Sequence, residues 1–275
     1  MTPGGARDFE RLVEREWLCA NGLGGYASGT VAGANTRRYH GLLVAALAPP
    51  GARTLLVAGL QDVLWFGAAG FELGTSEYHD GTIQPEGYRY LARFAVERGL
   101  PTWEYAFSGW RLQKKVWLEQ GQNTAFVRYV LLEASSACRL GITPLLANRD
   151  FHDQQRAGPE FAWPYGEQWL ACDQAFGFEA SPCWYRRVLH RVERERGLDA
   201  EEDLFSPGTL SAAILPGRPL LLRLSAEQEP APFAGAFERA EAHATKLLGP
   251  RKGAVASMGL RVLGSEPAAV VQQQA

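Results

Sequence analysis

Little in this sequence points to a strongly charged ligand, a membrane or a redox centre. Its 275 residues carry 28 Lys plus Arg against 30 Asp plus Glu, a net charge of −2, which leaves no electrostatic footprint for nucleic acid. The four cysteines, Cys19, Cys138, Cys172 and Cys183, lie far apart without CxxC spacing, which argues against both a zinc site and a disulfide framework. They read as reduced thiols of a cytoplasmic protein. No window approaches a membrane span, and Arg7, Asp8, Glu10, Arg11, Glu14, Arg15 and Glu16 stand where a secretory signal needs an apolar run. The five histidines never fall at ligand spacing and no serine sits in a GxSxG context, so neither a metal nor a cofactor is expected.

What the chain does have is apolar and aromatic content: 46% of residues are hydrophobic, with 8 Trp, 9 Tyr and 13 Phe. Aromatics serve equally in sheet cores and in sugar-stacking platforms. Short alternating runs separated by Gly, Pro and Asn turns predict an all-β antiparallel sandwich rather than alternating β and α units. The clearest hairpin lies between residues 111 and 133, where Leu112, Val116 and Leu118 share one face and Gln113, Lys115, Trp117 and Glu119 the other. Further strands are expected at 54–58, 63–66, 103–107, 140–145, 169–172, 210–214 and 220–224, the last two joined by a turn at Pro216 and Gly217. Periodicity is lost between Asn148 and Pro164 and between Arg186 and Pro207. From Phe233 to Leu248 the pattern becomes helical, with Phe233, Phe237, Ala240, Ala244, Leu247 and Leu248 on one stripe. The expected domain spans 1–249, with a poorly ordered tail over 250–275.

The stretch EWLCANGLGGYASGTVAGANTRRYHGLLVAAL combines a strand at Trp17–Ala20, a glycine-rich bend and an expected second strand over Thr36–Ala46. Its GLGGYASG portion lacks the Lys-Ser/Thr pair of a phosphate loop. Arg37, Arg38, Tyr39 and His40 form a polar cluster at the sheet edge, suited either to sugar hydroxyls or a partner domain, or to local carboxylates such as Glu14 and Glu16.

This stretch, followed by an Arg-Thr-Leu-Leu strand, resembles the opening signature of the N-terminal domain of archaeal and bacterial glycogen debranching enzymes (the amylo-α-1,6-glucosidase family). The similarity continues through PEGYRYLARF, PTWEY, NRDFH and RERGLDAEEDLFSPG. The resemblance implies a supersandwich of the galactose-mutarotase-like or glucoamylase N-terminal-like kind, closed by a C-terminal helix. It also implies a place in glycogen breakdown and two partners: an α-glucan and a catalytic (α/α)6 barrel, in cis or in trans. The family's glucosidase chemistry belongs to that barrel, for which the residues after Leu248 are too few. The chain then reads as a stand-alone N-terminal domain, the product of a split gene, or a truncated form.

Glycoside hydrolysis needs two facing carboxyl groups, about 5–5.5 Å apart for retention and about 6.5–9.5 Å for inversion. The local candidates are Asp150 and Asp153 in NRDFHD, near Glu160 and Glu167, within a loop carrying Phe151, Phe161, Trp163, Tyr165 and Trp169. That grouping fits catalysis, sugar binding, or structure and docking. The substrate-binding or docking candidates are Arg37, Arg38, His40, Arg149, Asp150, His152 and Trp163. The charged block Arg191–Asp203 reads as a solvated face or an interdomain contact. Three functions compete: an accessory domain, a self-sufficient glucosidase or glucanotransferase, and an interaction module without sugar binding.

Overall fold

A computed structural model describes residues 9–49, 51–248 and 259–260. After a short helix α1 (Phe9–Val13), strands β1 (Glu16–Ala20), β2 (Tyr26–Thr30), β3 (Gly41–Ala46) and β4 (Arg53–Phe66) form a meander, and β5 (Ala69–Glu72) folds back on β4. A small hairpin follows, β6 (Thr75–Glu77) with β7 (Ile83–Glu86). A second meander then runs through β8 (Leu91–Glu97), β9 (Leu100–Phe107), β10 (Trp110–Leu118) and β11 (Thr124–Glu133).

The chain next crosses between the two layers. β12 (Cys138–Asp150) joins the first sheet beside β4, β13 (Leu170–Cys172) lies on the edge of the second, and β14 (Gly177–Leu189) and β15 (Glu201–Ile214) return to the first. β16 (Pro219–Ser225) inserts between β13 and β11. The first sheet is therefore ordered β1-β2-β3-β4-β12-β15-β14, and the second β13-β16-β11-β10-β9-β8, with β17 (Gly259–Leu260) against β8. All pairings between these strands are antiparallel.

The two sheets bury one shared core, to which the inward faces of β10 (Leu112, Val116, Leu118), β11 (Val127, Leu131), β12 (Leu140, Ile142) and β15 (Leu210, Ala212, Ile214) all contribute. The outward face of β10 is covered as well. Helix α3 (Ala236–Leu248) packs there, with Trp117 stacked on Phe126 at 5.4 Å and Phe237 tilted against Trp117 at 5.7 Å. The alternation of β10 comes from its two unlike faces, apolar Leu112, Val116 and Leu118 in the core and polar Gln113 and Lys115 outward, with Trp117 the outward ring that α3 covers.

Several expected elements differ in extent. The strand expected from Thr36 begins only at Gly41, and residues 31–40 form turns. Their backbone groups bond away from any ladder, as with His40 N to Arg37 O and Val192 N to Thr36 O. Residues 54–58 and 63–66 belong to one strand, β4, whose register shifts opposite Leu145 and Leu146. The stretch 186–207 resolves into the end of β14, a helix α2 (Arg191–Glu195) and the start of β15. The turn at Pro216 and Gly217 carries the chain from one sheet to the other, and Gly217, at φ 75°, donates its N–H to Leu131 O at 2.8 Å. The expected tail lies outside the described residues, Gly259–Leu260 excepted.

Candidate functional site

β12 and β15 pair as far as Leu146 and Phe205, and beyond that point the side chain of Arg149 reaches Glu202. Both side chains are buried, at 5% and 1% exposure. The guanidinium grips the carboxylate through Nε and through Nη2, the latter at 2.9 Å. Nη2 also donates to Arg38 O at 2.9 Å and Nη1 to Asp150 O at 3.0 Å. Glu202 further accepts the Gln155 N–H at 3.1 Å, and His190 Nε2 lies 3.5 Å from it. Such bidentate geometry suits the planar fork of arginine and not a lysine.

Arg38 extends the knot. Its Nη1 donates to His152 O at 2.8 Å and its Nη2 to Asp199 O at 3.2 Å, while its backbone N–H donates to Glu193 Oε1 at 3.3 Å. Loop 31–40, turn 150–155, α2 and the start of β15 are thereby bound together. Within this knot Arg38 Nε, His190 Nδ1 and Glu193 Oε2 are enclosed and have no hydrogen-bond partner among the described residues. Glu193 Oε2 lies 3.7 Å from Arg38 Nη2 and 3.6 Å from Arg196 Nη1. Burial pushes the His190 pKa well below its ordinary value, and the nearby Arg149 adds to the effect.

The other sequence-chosen residues divide into three groups. Arg37 Nε donates to Glu16 at 2.6 Å, and His40 Nε2 lies 3.4 Å from the same carboxylate oxygen. The bond to His40 first, and that to Arg37, hold Glu16 down to a pKa of about 2. Asp150 and Asp153 sit on one turn, both exposed, where Asp150 Oδ1 accepts the His152 N–H at 2.9 Å and Asp150 O accepts the Asp153 N–H at 3.0 Å. They share a turn instead of facing each other across a cleft. His152 is exposed at the rim, its Nδ1 3.3 Å from the Tyr39 hydroxyl. Trp163 belongs elsewhere, among Phe161, Tyr165 and Trp169. This aromatic loop runs from the first sheet to the second, and Phe161 stacks on Phe205 of β15 at 4.6 Å.

Two concave regions stand apart from these residues. A groove of about 430 Å³ runs between α3 and the ends of β1 and β10, lined by Trp117, Leu118, Ala240, Ala244 and Leu247. A smaller chamber of about 70 Å³ lies between the sheets, walled by Trp17, Trp103, Tyr105, Leu60 and Val116 and reached by Lys114 and Asn35. Lys114 stands on the inward face of β10, in step with Leu112 and Val116. Its ammonium donates to Asp62 Oδ2 at 2.5 Å, and Tyr129 donates its hydroxyl to Asp62 Oδ1 at 2.9 Å. Sequence reasoning missed Glu193, Glu202, His190, Asp62 and Lys114 as organised groups. Only Lys114 left a signal, as the one charged residue at the inward spacing of an otherwise apolar strand face.

Fold and site together define an all-β double-sheet domain with a charged knot at one end and a small polar chamber between its layers. The family described as glycogen debranching enzyme N terminal matches residues 15–221, and the chain belongs to that family. Among solved structures, a bacterial glucoamylase complexed with acarbose aligns at 9% identity and a TM-score of 0.35, covering 88% of this chain and 36% of that one. The chain thus spans about a third of the glucoamylase's length. No curated protein matches. Among the described residues no helix is long and apolar enough to cross a membrane, and no group of His, Cys, Asp and Glu could hold a metal ion.

Proposed function

We propose that residues 1–249 act as the accessory domain of a cytoplasmic glycogen-debranching enzyme, presenting a rigid loop surface to an (α/α)6 helical barrel and to the α-glucan it cleaves. The surface comprises Arg37 and Arg38 from one loop, with Asp150 and His152 from the facing turn and Trp163 beyond it, while His40 and Arg149 are buried beneath it and hold the loops in place. The observation that carries this reading is the Arg149–Glu202 knot. A buried bidentate pair with four donated bonds fixes two otherwise irregular loops against each other, as a docking face that must not rearrange requires. The carboxylates left at the rim, Asp150 and Asp153, share one exposed turn, which favours hydroxyl or partner contacts over acid–base chemistry in a closed site.

The test mixes the purified chain with a separately expressed helical barrel from a member of this family and follows glucose released from branched limit dextrin. The chain alone should release none, and its addition should raise the barrel's rate. Glucose release by the chain alone, lost in Asp150→Asn, would instead establish a self-sufficient hydrolase. No effect on the barrel would sink the accessory role.

A further inference from the structure

The chamber between the sheets has the composition of a ligand site, and none of the knot's charged side chains lines it. Seven of its lining residues come from the glycine-rich opening stretch, among them Trp17, Gly29, Gly33 and Asn35. Gly29 pairs with Trp17 across β1 and β2. A side chain at Gly29 would project towards Trp17 and Asn35, its first carbon 3.4 Å from Trp17 Nε1 and 3.5 Å from Asn35 Oδ1. A side chain at residue 29 would therefore take up part of that room. Gly33, exposed, and Asn35, half-buried, mark the side on which the chamber meets solvent.

The polar groups that reach the chamber retain bonding capacity. An ammonium carries three protons, and Asp62 takes one from Lys114 at 2.5 Å. Asn35 uses its amide N–H₂ on Ala58 O at 2.9 Å, while its oxygen lies beside Gly29. Aromatic walls stand opposite, with Trp17 edge-on to Trp103 at 5.2 Å. The charge of Lys114 is cancelled by Asp62, whose side chain is 3% exposed, so the chamber has no net charge with which to hold an ion. Apolar rings combined with a donor and an acceptor of no net charge suit a neutral, hydroxyl-bearing molecule.

We propose that this chamber binds the hydroxymethyl edge of a single neutral sugar unit, with Lys114 donating to a hydroxyl, Asn35 Oδ1 accepting from one, and Trp17 and Trp103 against the carbon face. The volume admits an edge of a pyranose ring and not a whole disaccharide, so recognition is of a chain end. The choice of glucose as the sugar rests on the α-glucan reading above; the site itself does not.

The probe is maltose, titrated into the intact chain and followed by tryptophan emission and by calorimetry. Binding should be saturable, weak and accompanied by a change in emission from Trp17 and Trp103. Gly29→Val fills the chamber and should weaken binding by about tenfold or more, while Glu179→Gln, on the exposed edge strand β14 and outside the chamber lining, should bind as the parent chain does. If Gly29→Val fails to fold by circular dichroism, Gly29→Ala, whose added carbon makes only ordinary contacts, should weaken binding to a smaller degree. Absence of any maltose response, or an unchanged response in the Gly29 variants, overturns the proposal. Stimulation of the barrel by a chain that ignores maltose would refute this site and leave the accessory role standing; maltose binding without stimulation would do the reverse.

Discussion

Two buried ion pairs occupy opposite parts of this sandwich and are used differently. Arg149 and Glu202, at 5% and 1% exposure, sit in the knot that ties the loops at the end of the first sheet. Lys114 and Asp62, at 14% and 3%, sit beside the chamber between the sheets. Arg149 places its donors on Glu202, Arg38 O and Asp150 O, whereas Lys114 has one hydrogen-bond acceptor among the described residues, Asp62. Unpartnered atoms also occur in the knot, at Arg38 Nε, His190 Nδ1 and Glu193 Oε2, but they are enclosed. A ligand needs spare bonding capacity and room together, and only the chamber offers both.

The sharpest way to break this comparison is to remove one cation at a time. Arg149→Met leaves Glu202 buried with only neutral donors and a histidine that burial keeps unprotonated, and should cost about 3–5 kcal/mol in urea unfolding. Lys114→Met leaves Asp62 with the Tyr129 hydroxyl and an adjoining chamber that can admit water, so the loss should be smaller, about 2 kcal/mol. Equal losses would mean that the chamber is as closed as the knot.

Acid should separate the two ends of the loop surface in pH. The His190 pKa is depressed in the fold, so below the ordinary histidine value of about 6.5 the unfolded chain binds the proton more readily. Stability is full above that value and falls as the pH drops through it. Glu16, held at about 2 by His40 and Arg37, also contributes stability that is present above its unfolded value, and this is lost as the pH falls through the folded pKa. Unfolding midpoints measured between neutral pH and pH 5 should therefore decline with the parent chain and flatten in His190→Gln. The Glu16 contribution should disappear only in more acid solution. A parent midpoint that stays level down to pH 5 would show that His190 is not buried neutral.

Much of the fold was legible in the sequence, and the reasons are local. β10 alternates cleanly because its core face carries Leu112, Val116 and Leu118 while its outward face carries Gln113 and Lys115. Residues 36–40 read as the start of a strand because Arg37 to His40 lead directly into the apolar run of β3; they form a turn instead, held by Glu16 and by Glu193, the latter more than 150 positions away. Helix α1 was hidden inside a charged run, although Phe9, Leu12 and Val13 are all buried. The site was less legible than the fold. Arg149 was singled out, but its partner Glu202 stood inside a block that reads as a solvated face. Lys114 was visible only as an odd charge among inward apolar positions, and nothing near it in sequence names Asp62.

The smallest effect is expected at the exposed turn. Asp150 accepts one N–H, from His152 at 2.9 Å, and the bond from Asp153 N–H goes to its backbone oxygen. An asparagine at 150 keeps an acceptor oxygen in the same place, and Asp153 is exposed. Asp150→Asn and Asp153→Asn should each shift stability by no more than about 0.5 kcal/mol. The two substitutions should also add, because neither carboxylate is bonded to the other or to the knot's cations. A loss well beyond that from either one would place the turn inside the knot's energetics and erase the boundary between the rigid scaffold and the rim it displays.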